Sequence, residues 1–187
     1  PTIDLGVIGS KPGPLLAATD EFTVTVRGVQ SHGAYPHQGH DAILASAHLI
    51  TQLQSIASRN VGPLDSVVVT VGVINAGTAS NIIPESVKFI GTIRTLKAET
   101  RALAKQRFYS IIEHGARAMG CNADIFWEDG YPVTHNDPAL TEKFFRIADR
   151  AMGAKNVLRI EHATMGGEDF SYYGHHVPAC FYLLGLK

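Results

Sequence analysis

Residues 21–29 alternate, with Phe22, Val24 and Val26 on one side of the chain and Thr23, Thr25 and Arg27 on the other. A period of two with one apolar side predicts a half-buried strand. Beyond a Gly/Pro loop at 31–39, apolar positions recur at Ile43, Ala47, Ile50, Leu53 and Ala57, which is a helical stripe. Val67, Val69, Val71 and Val73 predict a second strand, closed by a turn at Asn75-Ala76-Gly77-Thr78. Val87, Phe89 and Ile93 mark a third, with Lys88, Thr92 and Arg94 on its opposite side. Helical spacing returns over 98–119 through Leu103, Phe108, Ile111, Ile112, Ala116 and Met119, and Gly120 supplies the stop. Ala123, Ile125 and Trp127 predict a fourth strand at 122–128.

Strand, helix, strand, strand, helix, strand is the order of a split βαβ (ferredoxin-like) sandwich in the α+β class. The expected product is one antiparallel four-stranded sheet with both helices on its valine face. The other face, with Thr23, Thr25, Arg27, Lys88, Thr92 and Arg94, is expected to be polar and open, a natural docking surface for a second subunit or domain. From about residue 130 the pattern changes. A turn-rich linker at 130–138 leads to a helix at roughly 138–152 and a short strand near 157–160. A small-residue loop at 165–173, opening a short helix, and a strand at 180–184 follow. This tail holds too few apolar positions to make a core alone and is expected to pack on chain preceding Pro1. No internal repeat or low-complexity tract interrupts the sequence.

Composition narrows the function classes. Sixteen basic residues against seventeen acidic ones, in 187, leave no electrostatic footprint for nucleic acid or an anionic membrane. No apolar run approaches the roughly 20 residues of a membrane span, and no signal peptide is seen, so a cytoplasmic protein is expected. The chain opens on Pro1 in what reads as mid-domain sequence and closes on a strand-like run, so a piece of a longer protein is expected. Cys121 and Cys180 lie far apart without CxxC spacing. A pair of reduced thiols is the plain reading, with a disulfide or a metal site as alternatives.

Three polar residues stand out because each sits in its own small-residue stretch. They are His32 in Ser31-His32-Gly33-Ala34-Tyr35-Pro36-His37, Asn81 in Gly77-Thr78-Ala79-Ser80-Asn81-Ile82-Ile83-Pro84-Glu85, and Arg94 in Gly91-Thr92-Ile93-Arg94-Thr95. A proton donor, a carboxamide and a guanidinium are the groups that polarise a carbonyl and hold a carboxylate.

These motifs, with Gly13-Pro14-Leu15-Leu16-Ala17-Ala18, residues 54–61 and Met165 to Phe170 in the same order, resemble the dinuclear zinc amidohydrolases of the aminoacylase, hippurate hydrolase and indole-acetyl-amino-acid hydrolase group. The resemblance runs nearly end to end. It implies a lid, or dimerisation, domain over residues 19–130. Residues 1–18 and 131–187 would then be parts of a metal-binding catalytic domain on either side. It also implies two divalent metal ions (zinc, or manganese or cobalt) bound by residues outside this chain. The metal ligands and the general-base glutamate of such enzymes fall before Pro1 and beyond Lys187, so the chain alone is expected to be inactive.

For the residues present, the resemblance implies hydrolysis of an N-acyl amino acid or related conjugate by a homodimer. His32 would be the catalytic donor to the carbonyl oxygen in a partner subunit's cleft. Arg94 would clamp the substrate carboxylate, Asn81 would hold the carboxylate or amide, and the backbone of Gly166 and Gly167 would border the cleft. Each has a plainer reading: a loop histidine, a solvated strand arginine, a turn asparagine and a helix-opening loop. His37 orients its loop or touches substrate, or else caps the helix that follows, while His40 and His48 are assigned to that helix. His175-His176 resembles a metal pair, although neighbouring side chains in an extended segment point apart. Glu168 and Asp169 read as helix-start acids rather than ligands. The rival function is a non-catalytic split βαβ module for dimerisation or ligand binding.

Overall fold

The computed structural model describes residues 3–187. In chain order its strands and helices are Ile8–Ser10 (β1), Gly13–Leu16 (β2), Ala18–Arg27 (β3), Ser31–His32 (β4), Ala42–Leu53 (α1), Val67–Ala76 (β5), Ile82–Ile83 (β6), Ser86–Thr95 (β7), Ala98–Ala118 (α2), Asn122–Asp129 (β8), Thr134–Asn136 (β9), Pro138–Met152 (α3), Val157–Arg159 (β10) and Leu183–Leu184 (β11). The chain divides into two compact units. One is Asp20–Arg94 with Glu99–Asp129; the other holds the described residues through Thr19, Thr95–Ala98 and Gly130–Lys187.

The first unit is the split βαβ sandwich that the alternation predicts. Its four strands lie in the order β5-β7-β3-β8, and β3 runs antiparallel to β8 with Asp20 opposite Asp129 and Arg27 opposite Asn122. The Gly28 amide donates to the Glu85 carbonyl, while Phe22 packs beside Gly91. Strands β3 and β7 therefore run in opposite directions. Side chains alternate across a strand, so Phe22, Val24 and Val26 of β3 and Val87, Phe89 and Ile93 of β7 all point one way. They share one core with Ala45, Leu49 and Leu53 of α1 and Ala104, Phe108, Ile112 and Ala116 of α2. Both helices thus cover the valine face. The Asp41 carboxylate caps α1 by accepting from the Leu44 amide at 2.9 Å.

One charge pair in this unit is buried. Asp20, on β3, is 1% exposed and takes a fork from Arg101 of α2, Nε to Oδ2 at 2.9 Å and Nη2 to Oδ1 at 2.5 Å. Arg27 and Asp124 also pair, but both are largely exposed, so they stabilise little. Cys121 is buried in the same core, and burial, reinforced by the nearby Asp41 charge, pushes its thiol pKa up and keeps it inert. Both cysteines are free, as the reduced reading expects.

The open face is less polar than the sequence suggests. By strand parity Val68 and Ile74 of β5 and Phe126 of β8 lie there beside the threonines and lysine, and all three are exposed. The pattern concealed them because each sits at a position that alternation assigns to solvent.

In the second unit β10, β1 and β11 form one small sheet and β2 pairs with β9. Its core is small: Ile8, Phe145, Ala148 and Val157, with Phe144 and Met152 against them. The stretch read as a linker contains a strand, β9, because Asn136 anchors it. That side chain is fully buried; its amide donates to Ser10 Oγ, the Lys11 carbonyl and the Phe181 carbonyl, and its oxygen accepts from the Phe181 amide at 2.7 Å. The same bonds divert Phe181 from a ladder, so the strand expected over 180–184 shrinks to Leu183–Leu184. His40 is not on the first helix; it precedes the Asp41 cap and pairs with Val29 across an isolated bridge.

Removing Arg101 while keeping Asp20 leaves a buried carboxylate without its fork. Arg101→Met is expected to destabilise the protein by about 3 kcal/mol, read as a lower urea midpoint.

Candidate functional site

His32 is presented by an excursion between β3 and α1. At the base, Val29 and His40 exchange both backbone hydrogen bonds at 3.0 Å. Gly28 permits that closure, because a Cβ there would lie 2.1 Å from the His40 carbonyl oxygen. One arm of the excursion, β4, pairs antiparallel with β6, placing Ser31 opposite Ile83 and His32 opposite Ile82. The Gly33 amide extends this ribbon by donating to the Asn81 carbonyl at 2.7 Å.

The residues after His32 fold back on it. Tyr35 donates its amide to the His32 carbonyl at 2.8 Å, closing a four-residue turn, and the Ala34 amide donates to His32 Nδ1 at 3.1 Å. The Tyr35 ring lies 5.7 Å from the imidazole, centroid to centroid, and 6.4 Å from that of His37. His32, Asn81 and Tyr35 are all exposed. His37 belongs to a short 3-10 turn, Pro36–Gln38, and does not cap α1; Asp41 does.

The structure thus brings His32 and Asn81 together. Arg94 is elsewhere: it is half-buried on the open face of β7, eight residues along from Ser86, the end to which the Asn81 loop leads. At about 3.3 Å per residue, that puts it roughly 26 Å along the sheet from the His32 end. Since β3 and β7 are antiparallel, Arg94 sits where β3 begins.

In the second unit the Gly166-Gly167 loop is tied to the strand leading out of β2. The Ala17 amide donates to the Gly166 carbonyl at 2.7 Å, and Leu16 bridges Thr164. The Gly166 amide is already engaged with Thr164 Oγ1 at 3.1 Å. Gly167 approaches Thr19 so closely that a Cβ would lie 2.4 Å from Thr19 Cγ2. Tyr131 and Tyr172, whose rings meet edge to face at 6.2 Å, flank this region: the Thr19 amide donates to the Tyr131 carbonyl. Isolated tyrosines in turn-rich stretches gave no signal for that pairing. His175 and His176 lie with His135 around a shallow surface hollow. Among the described residues no group of three or more His, Cys, Asp or Glu is placed to hold a metal ion. None of their helices is long and apolar enough to cross a membrane.

The split βαβ unit thus carries a histidine turn at one end of its sheet and an arginine at the other. Residues 19–119 match the peptidase dimerisation domain of the M20 type, and the chain belongs to that family. It is 42% identical over 185 residues to N-acetyl-L-cysteine deacetylase of Bacillus subtilis, covering 99% of this chain and 44% of that protein. N-acetyldiaminopimelate deacetylase of Bacillus cytotoxicus is 41% identical over 186 residues, covering 100% and 49%. Among solved structures, the Bacillus subtilis YXEP protein, a dinuclear metal-binding peptidase of the M20 family, superposes with a TM-score of 0.76 at 28% identity, covering 97% and 45%. The chain spans about half the length of the curated relatives it matches.

Because the excursion depends on the close approach at its base, Gly28→Ala is expected to lower stability by about 2 kcal/mol or more. Gly72→Ala, where a Cβ meets nothing within 4 Å, is the control and is expected to hold or slightly raise the thermal midpoint.

Proposed function

We propose that this protein is the lid-bearing part of a metal-dependent amidohydrolase that cleaves the amide bond of N-acyl amino acids. The observation that carries the reading is the joining of the His32 turn to the Asn81 loop through β4, β6 and the Gly33–Asn81 hydrogen bond. The names of the relatives support the substrate class. N-acetyl-L-cysteine and N-acetyldiaminopimelate each combine a secondary amide with a free carboxylate, and the chain offers a partner for each group. The Arg94 guanidinium takes the carboxylate through two parallel hydrogen bonds. Asn81 supplies a carboxamide to the carboxylate or amide. His32 donates to the carbonyl oxygen, where negative charge grows as the amide is attacked; a fixed donor there counts most in the transition state. In the glycine loop, the engaged Gly166 amide holds the loop and the Gly167 amide borders the substrate.

Two divalent metal ions, zinc or else manganese or cobalt, held by residues outside this chain, complete the reading; the likeness to a dinuclear metal-binding M20 peptidase supports two ions. The enzyme works as a homodimer through this domain. With His32 and Asn81 at one end of the sheet and Arg94 roughly 26 Å away, a small substrate cannot touch all three in one subunit. Each cleft therefore takes Arg94 from one subunit and His32 with Asn81 from its partner. Exposed Val68, Ile74 and Phe126 beside the polar groups suit a face that meets another surface.

Kinetics of the full-length enzyme on N-acetyl amino acids test the assignment. His32→Ala is expected to lower kcat about 10²- to 10³-fold. Arg94→Ala is expected to raise KM about tenfold or more, with a smaller effect on substrates whose carboxylate is amidated. Unchanged rates in both variants would leave the domain a dimerisation role alone.

A further inference from the structure

We propose that the Ala34 amide holds His32 as its Nε2–H tautomer, with the Tyr35 ring as the packing partner that fixes the imidazole plane. The inference rests on the reading of His32 as a donor and adds what makes it one. A backbone N–H can only donate, so the ring nitrogen it meets at 3.1 Å must be an unprotonated acceptor. In a neutral imidazole the proton then sits on Nε2. That nitrogen lies on the side of the ring away from the backbone, and among the described residues it makes no hydrogen bond except what it offers to solvent.

The device is local and built from consecutive residues. The hydrogen bond from the Tyr35 amide to the His32 carbonyl closes the turn. Closure swings the Ala34 amide under the ring. The Gly33 amide, turned the other way, bonds to the Asn81 carbonyl, so the three successive amides of Gly33, Ala34 and Tyr35 fix the loop, the ring nitrogen and the turn in that order. The Tyr35 ring stands tilted 47° to the imidazole and near-perpendicular, at 88°, to that of His37. A neutral histidine side chain in water already favours the proton on Nε2, so the larger gain is in direction: one N–H vector is presented without reorganisation. Tyr35 is accordingly a positioning residue.

The test uses full-length protein carrying ¹⁵N-histidine, read by long-range ¹H–¹⁵N correlation under mildly alkaline conditions, with His32 assigned by its absence in His32→Gln. The expected result is the unaveraged pattern of the Nε2–H tautomer for His32, and a shift toward averaged values in Ala34→Pro, which lacks the N–H. An Nδ1–H pattern or fully averaged shifts in the wild-type protein overturn the inference, whether or not Ala34→Pro folds. In kinetics, Tyr35→Ala is expected to lower kcat about tenfold with KM little changed, and Tyr35→Phe, which keeps the ring, to restore it. An unchanged kcat in Tyr35→Ala overturns the positioning role. A locked tautomer together with full activity in His32→Ala would sustain this inference and refute the donor reading; averaged shifts with an inactive His32→Ala would do the reverse.

Discussion

The short ribbon between Ser31–His32 and Ile82–Ile83 is the constraint from which the rest of the site follows. Two loops separated by almost fifty residues become one rigid end of the sheet, because their backbone groups satisfy each other instead of water. A loop histidine alone would sample many directions. Tied through the Gly33 amide to the Asn81 carbonyl and through its own turn to the Ala34 amide, it keeps one. Loops carry function when a scaffold positions them, and here the scaffold is β3 and β7 just beneath, joined at the same end by Gly28 and Glu85.

The sheet has a second role, that of a spacer. Strand β7 leads away from the Asn81 loop and delivers Arg94 at its far end. The helices α1 and α2 make that distance stiff by burying Phe22, Phe89 and Phe108 in one core, and the Arg101–Asp20 fork pins α2 to the end of β3 near Arg94. In the proposed cleft this rigidity becomes function, since a lid that holds two halves of a recognition set apart requires a second copy to close the set. A flexible domain would let one subunit fold back on itself and would remove the dependence on assembly.

Most of the sandwich was legible because its signals are periodic. Valine alternation at 67–73 and the stripe through Leu103, Phe108 and Ile112 depend on burial, which acts along a whole element. What stayed hidden depends on single contacts between distant residues. The two-residue strands β4 and β6 have no period to read. Strand β9 exists through one buried side chain, Asn136, which in sequence looks like any turn asparagine. His40 fell on the wrong side of the helix start because the capping residue, Asp41, follows it directly. Among the site residues, sequence and resemblance singled out His32, Asn81 and Arg94, but their grouping as two and one came only with the strand directions. The Ala34 amide was invisible for a plainer reason: a backbone donor has no side chain to announce it.

Subunit complementation tests the shared cleft most directly. Full-length His32→Ala and Arg94→Ala proteins are mixed, dissociated and reassembled, and assayed with substrate well below KM, where each variant alone retains at most about a tenth of the wild-type rate. If the cleft draws His32 from one subunit and Arg94 from the other, half the dimers are mixed and each has one intact site, so activity should recover to about a quarter of wild type. No recovery, with mixed dimers verified by mass, would mean that both side chains serve the same subunit and would contradict the account.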